Sequence, residues 1–225
     1  MNTALLVVIM ATSSKALPKV HGMPSTQKAM LPLAAFVAHS HNLKNSVACS
    51  AAKTKRTTGI FYLQLGSWPS WIGSVVLSAS RNTRATFYFI GPEVNDSVPE
   101  CTNCCWLPLT EELLFERAAD HLNVTLPTPF EYRKLCDLKP MWPALYPEIT
   151  MLHEWVGYAD SDIVFGDISS EIATLDEHPE TELLVPLGFY PMILSQGMLS
   201  LFRSTPKMTH AYLRSDRWRE VRVPH

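Results

Sequence analysis

The pattern of apolar and polar positions changes near Gly59. Before it, residues 12 to about 57 are rich in Ser, Ala, Lys and Thr and hold no sustained period, with room for one short helix at "LPLAAFVAH". Such a stretch reads as leader or linker. From Gly59 onward, "GIFYLQL" is a β-branched and aromatic run of the kind a buried strand requires. "GSWPSW" turns the chain into "IGSVVLSAS", whose apolar spacing predicts a short helix, and "ATFYFIG" is a second strand ending at Gly91-Pro92. Strand, helix and strand in that length make a βαβ unit, which implies a parallel sheet with its ligand edge at the carboxyl ends of the strands.

Further along, "CCWLPL" predicts a short strand. It leads into a helix with Thr110 as N-cap and Glu111 and Glu112 in the first turn, where the helix dipole favours acids. Leu114, Ala118 and Leu122 give that helix one apolar face. "EYRKLCDLKPMWPALYPEI" reads as mostly helical, broken by Pro140 and Pro143. Strands follow at "EWVGYA", "LLVPLGF" and "GMLSLFR", then a helix in "STPKMTHAYL" with Thr205 as cap and Pro206 at its first position. No internal repeat is visible. The expected division is therefore residues 1–57 as leader and linker, and residues 58–225 as one α/β domain with a mixed, mostly parallel sheet flanked by helices.

Composition narrows the function classes. The chain has 225 residues, 47% apolar and 18% charged, as expected of an ordinary globular domain. A net charge of −2 supplies no basic field for nonspecific nucleic-acid binding, so an anionic ligand must be held by local charges or a metal. Residues 4 to 11 are an apolar run too short to span a bilayer but about as long as the core of a signal peptide. No Lys or Arg precedes Leu5, so a fortuitous apolar start is the alternative. No later segment is long enough to cross a membrane. Five cysteines, Cys49, Cys101, Cys104, Cys105 and Cys136, cannot all pair within one chain. "CTNCC" lacks the second ligand pair that a zinc site needs, which leaves a lumenal disulfide using Cys101, Cys104 or Cys105, or inert buried thiols. "NDS" at Asn95 and "NVT" at Asn123 are glycosylation acceptors compatible with a secretory route.

The candidate chemistry lies in "EWVGYADSDIVFGDISSEI". Asp160 and Asp162 stand one residue apart where an apolar strand ends, and alternation along a strand would turn both carboxylates to one face. Hard divalent ions such as Mg²⁺ or Mn²⁺ take such oxygens, and the carboxyl end of an α/β strand is where a phosphate-bearing ligand is expected. A solvated Asp-Ser-Asp turn is the alternative.

The stretch resembles the Asp-x-Asp element of GT-A-type glycosyltransferases. "YRKLCDLKPMWPALYPEI" followed by "WVGYADSDIVFGDI" is similar to a poorly characterised GT-A-like family with the pattern Tyr-Lys-Leu-Cys-Asp-Phe-Lys-Pro and then Gly-Tyr-x-Asp-x-Asp-hydrophobic-Phe-Gly-Asp. "LGSWPSWIGSVVLSASRN" resembles that family's first strand-to-helix turn. "SQGMLSLFRSTP" echoes, more distantly, the Asn-x-Gly sugar-side segment of glycogenin-like proteins. The resemblance covers about residues 59 to 222 and implies a GT-A-like, Rossmann-like fold.

It also implies roles. Asp160 and Asp162 would hold Mn²⁺ or Mg²⁺ and the diphosphate of a nucleotide-sugar donor. Lys134 and Lys139 would neutralise phosphate oxygens, unless both are exposed helix lysines. Leu65, Gly66, Ser67 and Trp68 would lie at the nucleotide base and ribose, with Trp68 either stacking on the base or packing the turn. Ser195, Gln196 and Gly197 match the sugar-side loop, with Gln where relatives have Asn, and Asp167 reads as a helix cap. Relatives continue past "REVRVPH" into a region expected to supply acceptor contacts and a further metal ligand, and neither His210 nor His225 takes that place. The implied function is transfer of a sugar from a nucleotide-diphosphate donor to a glycan or protein hydroxyl in the Golgi or endoplasmic reticulum lumen. Alternatives are a catalytically silent nucleotide-sugar-binding domain and a haloacid-dehalogenase-type phosphatase. The phosphatase needs its Asp-x-Asp near the first strand with a Thr after one residue, where this chain has Ile163-Val164. No catalytic base is assigned.

Overall fold

The computed structural model describes residues 58–94, 98–175, 177–186 and 198–215, together with the backbone of residues 7–9. Its centre is one seven-stranded sheet. The strands are β1 (Val7–Ile9), β2 (Thr58–Leu63), β3 (Ala85–Gly91), β4 (Cys104–Pro108), β5 (Trp155–Ala159), β6 (Leu183–Pro186) and β7 (Leu199–Arg203). Their spatial order is β1-β6-β7-β5-β2-β3-β4. β2 pairs in parallel with both β3 and β5, and β3 with β4, whereas β7 runs antiparallel to β5 and β6. Five of the seven strands thus run the same way, with β7 and the edge strand β1 reversed. The sheet is the mixed, mostly parallel one expected from the βαβ spacing.

Helices cover both faces, which is why β2 and β3 are continuous apolar runs instead of alternating ones. Phe61, Leu63, Tyr88, Ile90 and Tyr158 face one layer. That layer is built from α2 (Glu111–Arg117), the π-helical turn Ala118–Leu122 that continues it, and the short helices α3 (Trp142–Leu145) and α4 (Pro147–Thr150). Ile60, Tyr62, Phe87 and Phe89 face the other layer, made by α1 (Ile72–Ser80) and α5 (Ile168–Thr174). Gly157 lets β5 and β7 approach: a Cβ there would lie 1.9 Å from the Ser200 carbonyl oxygen. Among the described residues, no helix is long and apolar enough to cross a membrane.

Local signals hold where they are strong. Thr110 caps α2, accepting from the Leu113 amide at 3.2 Å, and Asp167 caps α5, accepting from the Ser169 and Ser170 amides at 3.1 and 3.3 Å. Elsewhere the expectations need revision. "EYRKLCDLKPMWPALYPEI" is a chain of short turns, not a broken long helix: 3₁₀ turns at Tyr132–Leu135 and Lys139–Met141 precede α3 and α4. Pro140, Pro143 and Pro147 each fall in the first turn of a segment, where a missing N–H costs nothing, so the prolines start turns here. "STPKMTHAYL" likewise divides into α6 (Pro206–Thr209) and a 3₁₀ turn at Ala211–Arg214. Thr205 occupies the cap position of α6 without a side-chain capping bond. Val7–Ile9, inside the segment read as leader, pairs antiparallel with β6, Val8 opposite Val185.

A lysine–aspartate crevice at the switch point of the sheet

In a doubly wound sheet the crevice lies where successive connections leave a strand in opposite directions. Here that point falls between β2, whose next strand β3 lies on one side, and β5, which adds on the other. At the carboxyl ends of these two strands is a cavity of about 80 Å³ bordered by Leu65, Tyr132, Cys136, Lys139, Trp142 and Asp160. The sheet topology therefore brings together parts of the chain that the sequence places almost 100 residues apart.

One wall is the turn after β2. Gly66 has φ +79°, a left-handed conformation that a side chain would strain, and a Cβ there would come within 3.3 Å of the Tyr132 ring. The Gln64 side-chain amide fastens this turn by donating to the carbonyls of Leu65 (2.9 Å) and Ser67 (3.3 Å). Tyr132, 56% exposed, lies over Gly66 and borders the cavity. Trp68 takes the packing alternative: its indole N–H donates to the Pro92 carbonyl at 2.8 Å, and its ring stands edge-on to Trp106 and Phe89.

The opposite wall is the acidic turn. β5 ends at Ala159, so Asp160 and Asp162 lie in a turn rather than along a strand, and strand alternation does not set their directions. The Asp160 amide donates to the Met198 carbonyl at 2.9 Å, and its carbonyl accepts from the Ile163 amide at 3.3 Å. Trp71, half exposed at the start of α1, donates its indole N–H to the Ser161 carbonyl at 3.0 Å and holds the turn from outside. Asn82, almost fully buried, secures the chain just beyond. Its amide nitrogen donates to the Ser78 and Gly166 carbonyls, and its oxygen accepts from the Ile168 and Ser169 amides.

The charges are unevenly placed. Lys139 is buried and its Nζ donates to Asp160 Oδ1, while Asp160 is partly exposed and Asp162 exposed. Lys134 instead pairs with Asp137 at 3.2 Å on a solvated surface, a contact worth roughly 0–1 kcal/mol. Tyr62 is 1% exposed, stacked on Phe89, and its hydroxyl finds no hydrogen-bond partner among the described residues. Burial first, and then the negative charges of Asp160 and Asp162, push this phenol well above its ordinary range. Ser195, Gln196 and Gly197 lie outside the described residues. Met198, the residue that follows them, is the backbone partner of Asp160.

Asp160 and Asp162 are two carboxylates close in sequence, the oxygen ligands that hard divalent ions take. Mg²⁺ is commonly held by one or two carboxylates together with phosphate oxygens and water. Asp160 already takes a cation, the Lys139 ammonium, and the unpartnered Tyr62 hydroxyl lies within electrostatic reach of both carboxylates. Among the described residues, no three His, Cys, Asp or Glu side chains converge as a metal cage.

The sheet order, helices on both faces and a crevice at the switch point define a Rossmann-like α/β protein. The chain belongs to the family of unknown function DUF6625, whose match spans residues 60–223. No curated protein sequence matches it. Among solved structures it is similar to the glycosyltransferase GlyE of Streptococcus pneumoniae, at 10% identity and a TM-score of 0.36, over 75% of this chain and 42% of that one.

Proposed function

We propose that the chain binds a nucleotide-diphosphate sugar in this crevice and transfers the sugar to a hydroxyl of a glycan or protein, with Mg²⁺ or Mn²⁺ held at Asp160 and Asp162. The observation that carries the reading is the meeting of Lys139 and Asp160 at the switch point between β2 and β5. A cation donor and a carboxylate side by side, at the carboxyl ends of parallel strands, suit a diphosphate and its counter-ion. The resemblance of the surrounding residues to GT-A-type enzymes supports the choice of a sugar donor.

In this reading, Lys139 neutralises phosphate oxygens. Leu65, Gly66 and the exposed ring of Tyr132 form the wall on which the nucleoside lies. Trp71 and Asn82 keep the acidic turn in place. Transfer breaks the bond between the anomeric carbon and the diphosphate, whose oxygen keeps the electron pair, and forms the bond to the acceptor oxygen as its proton is lost. Asp160 and Asp162 would hold a divalent ion there, whose positive charge would offset the negative charge of the departing diphosphate.

A second reading, a nucleotide-sugar-binding domain without turnover, is favoured by the Lys139–Asp160 pair itself, because it already satisfies one of the two carboxylates. Release of nucleoside diphosphate from a panel of nucleotide sugars, with and without Mn²⁺, separates the two. Mn²⁺-dependent release supports transfer; binding without release supports the silent domain; neither binding nor release removes both.

We also place the protein in the lumen of the Golgi or endoplasmic reticulum. Cys101 and Cys104 form a disulfide, which suits an oxidising compartment, and the acceptor Asn123 is exposed. A mobility shift on treatment with a glycosidase, reduced in Asn123→Gln and lost when Asn95→Gln is added, is the expected result for protein made in secretory cells. A cytosolic, unglycosylated product contradicts it.

A further inference from the structure

We propose that the half-exposed indole of Trp71 is a platform on which a pyranose ring of the acceptor stacks, on the α1 side of the acidic turn and next to the donor crevice. The inference rests on the sugar-transfer reading above and adds the acceptor's chemical class, a saccharide, and its place.

The two tryptophans of "GSWPSW" have opposite surroundings. Trp68 gives its N–H to the Pro92 carbonyl and packs its ring edge-on against Phe89 and Trp106. Trp71 also spends its N–H, on the Ser161 carbonyl, yet remains 50% exposed, and its ring meets no other aromatic ring among the described residues. One hydrogen bond to a carbonyl needs only a small donor. A large ring left in water beside that bond is surplus to it, and is the kind of surface that a ligand with one apolar face covers. The ring is also pinned. The Trp71 carbonyl accepts from the Ser74 and Val75 amides at 2.9 and 3.3 Å, so backbone and indole edge are both fixed and little freedom remains to be lost on binding.

The groups at the indole edge are polar. The Ser161 hydroxyl and the Asp162 carboxylate make no hydrogen bond among the described residues, and Asp162 is exposed. A pyranose has the matching two-sided character. The C–H bonds of one face carry slight positive charge and meet the negative face of the indole, while the hydroxyls around its rim can bond to a serine hydroxyl and donate to a carboxylate oxygen. An acyl chain or an apolar peptide would cover the ring equally well but would desolvate Asp162 without giving it a donor.

The position suits a second substrate. Leu63, Leu65, Leu135 and Trp142, which line the crevice, belong to the layer of α2 to α4, whereas Trp71 stands at the start of α1, in the opposite layer. Ser161 belongs to both places, since it borders the crevice and holds the indole. A donor in the crevice and a saccharide on Trp71 thus meet across one turn.

The test uses the full chain carrying 5-fluorotryptophan at its six tryptophans, with the Trp71 fluorine resonance assigned by its absence in Trp71→Phe. The probes are UDP or GDP with Mn²⁺, the methyl β-glycosides of glucose, galactose and N-acetylglucosamine, lactose, and a Ser/Thr-rich peptide. With nucleotide and Mn²⁺ present, at least one saccharide should shift the Trp71 resonance. Trp71→Leu, which removes the ring, should bind that saccharide at least tenfold more weakly, while Trp71→Phe, which keeps a ring and loses the donor, should stay near wild type. An indole that serves only to hold the turn predicts equal losses in both variants, and that result overturns the platform. Thermal melts confirm folding; if the leucine variant does not fold, the shift in the unaltered protein decides. Nucleotide binding with no saccharide moving Trp71, a shift given only by the peptide, or unchanged saccharide affinity in Trp71→Leu overturns the acceptor subsite and leaves the donor site standing. Absence of both nucleotide and saccharide binding overturns both.

Discussion

Trp71 and Ser161, 90 residues apart in sequence, are joined by an indole-to-carbonyl hydrogen bond of 3.0 Å that fixes the acidic turn to the start of α1. This bond lies at an exposed edge, so its net worth to folding is about 1 kcal/mol or less. Its larger consequence is positional. Trp71→Phe keeps the ring and removes the donor; calorimetric titration should show a several-fold weaker affinity for nucleoside diphosphate with Mn²⁺, with a melting temperature within a few degrees of wild type. Equal affinity in the variant would mean that the turn holds its shape without this bond.

Asn82 should matter more to stability than to binding. Replacing it with Ala removes two donated and two accepted bonds, leaving the Ile168 amide only the Gly166 carbonyl at 3.2 Å and the Ser169 amide only Asp167 Oδ1 at 3.1 Å. At about 0.5–1.5 kcal/mol for each of the four bonds removed, Asn82→Ala is expected to lose about 3 kcal/mol in urea denaturation. A loss below about 1 kcal/mol would show that water replaces the amide.

His121 gives the fold a dependence on mild acid. His121 is exposed at its surface, yet partial desolvation first, and then the nearby Arg117 guanidinium, hold its imidazole below the ordinary value of 6.5. The folded state therefore binds fewer protons than the unfolded chain once pH falls below about 6.5. The stabilising contribution of neutral His121 is complete above that value and is lost as pH falls toward the depressed folded value. His121→Asn should flatten this part of the stability profile between pH 7 and pH 5 in chemical denaturation, and an unchanged slope would exclude His121 as its source.

Legibility from sequence follows the range of each interaction. Strands β2, β3, β4 and β5 are readable because both faces are covered and their apolar runs are nearly unbroken. The caps Thr110 and Asp167 are readable because a cap bonds within three residues of itself. The region from Tyr132 to Thr150 is harder, since apolar spacing does not separate an α-helix from successive 3₁₀ turns, and a proline that breaks one helix can equally begin the next segment. Val7–Ile9 carries the same apolar letters whether it is a leader core or an edge strand, and only β6 makes it a strand.

In the crevice, Asp160 and Lys139 stand out as charges within apolar motifs. Tyr132 and Trp71 do not, because their places depend on Gly66 and Ser161, which the fold brings beside them from far along the chain. The second tryptophan of "GSWPSW", one residue before the predicted helix, was the one sequence signal available for Trp71.

The central question is whether Asp160 and Asp162 join a divalent ion to a nucleoside diphosphate. The direct measurement is nucleoside-diphosphate affinity with and without Mn²⁺ in wild type, Asp160→Asn and Asp162→Asn, each checked for folding by its thermal melt. Asparagine keeps the side-chain shape and removes the charge, so the predicted result is Mn²⁺-dependent binding in wild type that falls at least tenfold in each folded variant. Binding that ignores Mn²⁺ and is the same in all three proteins would contradict it.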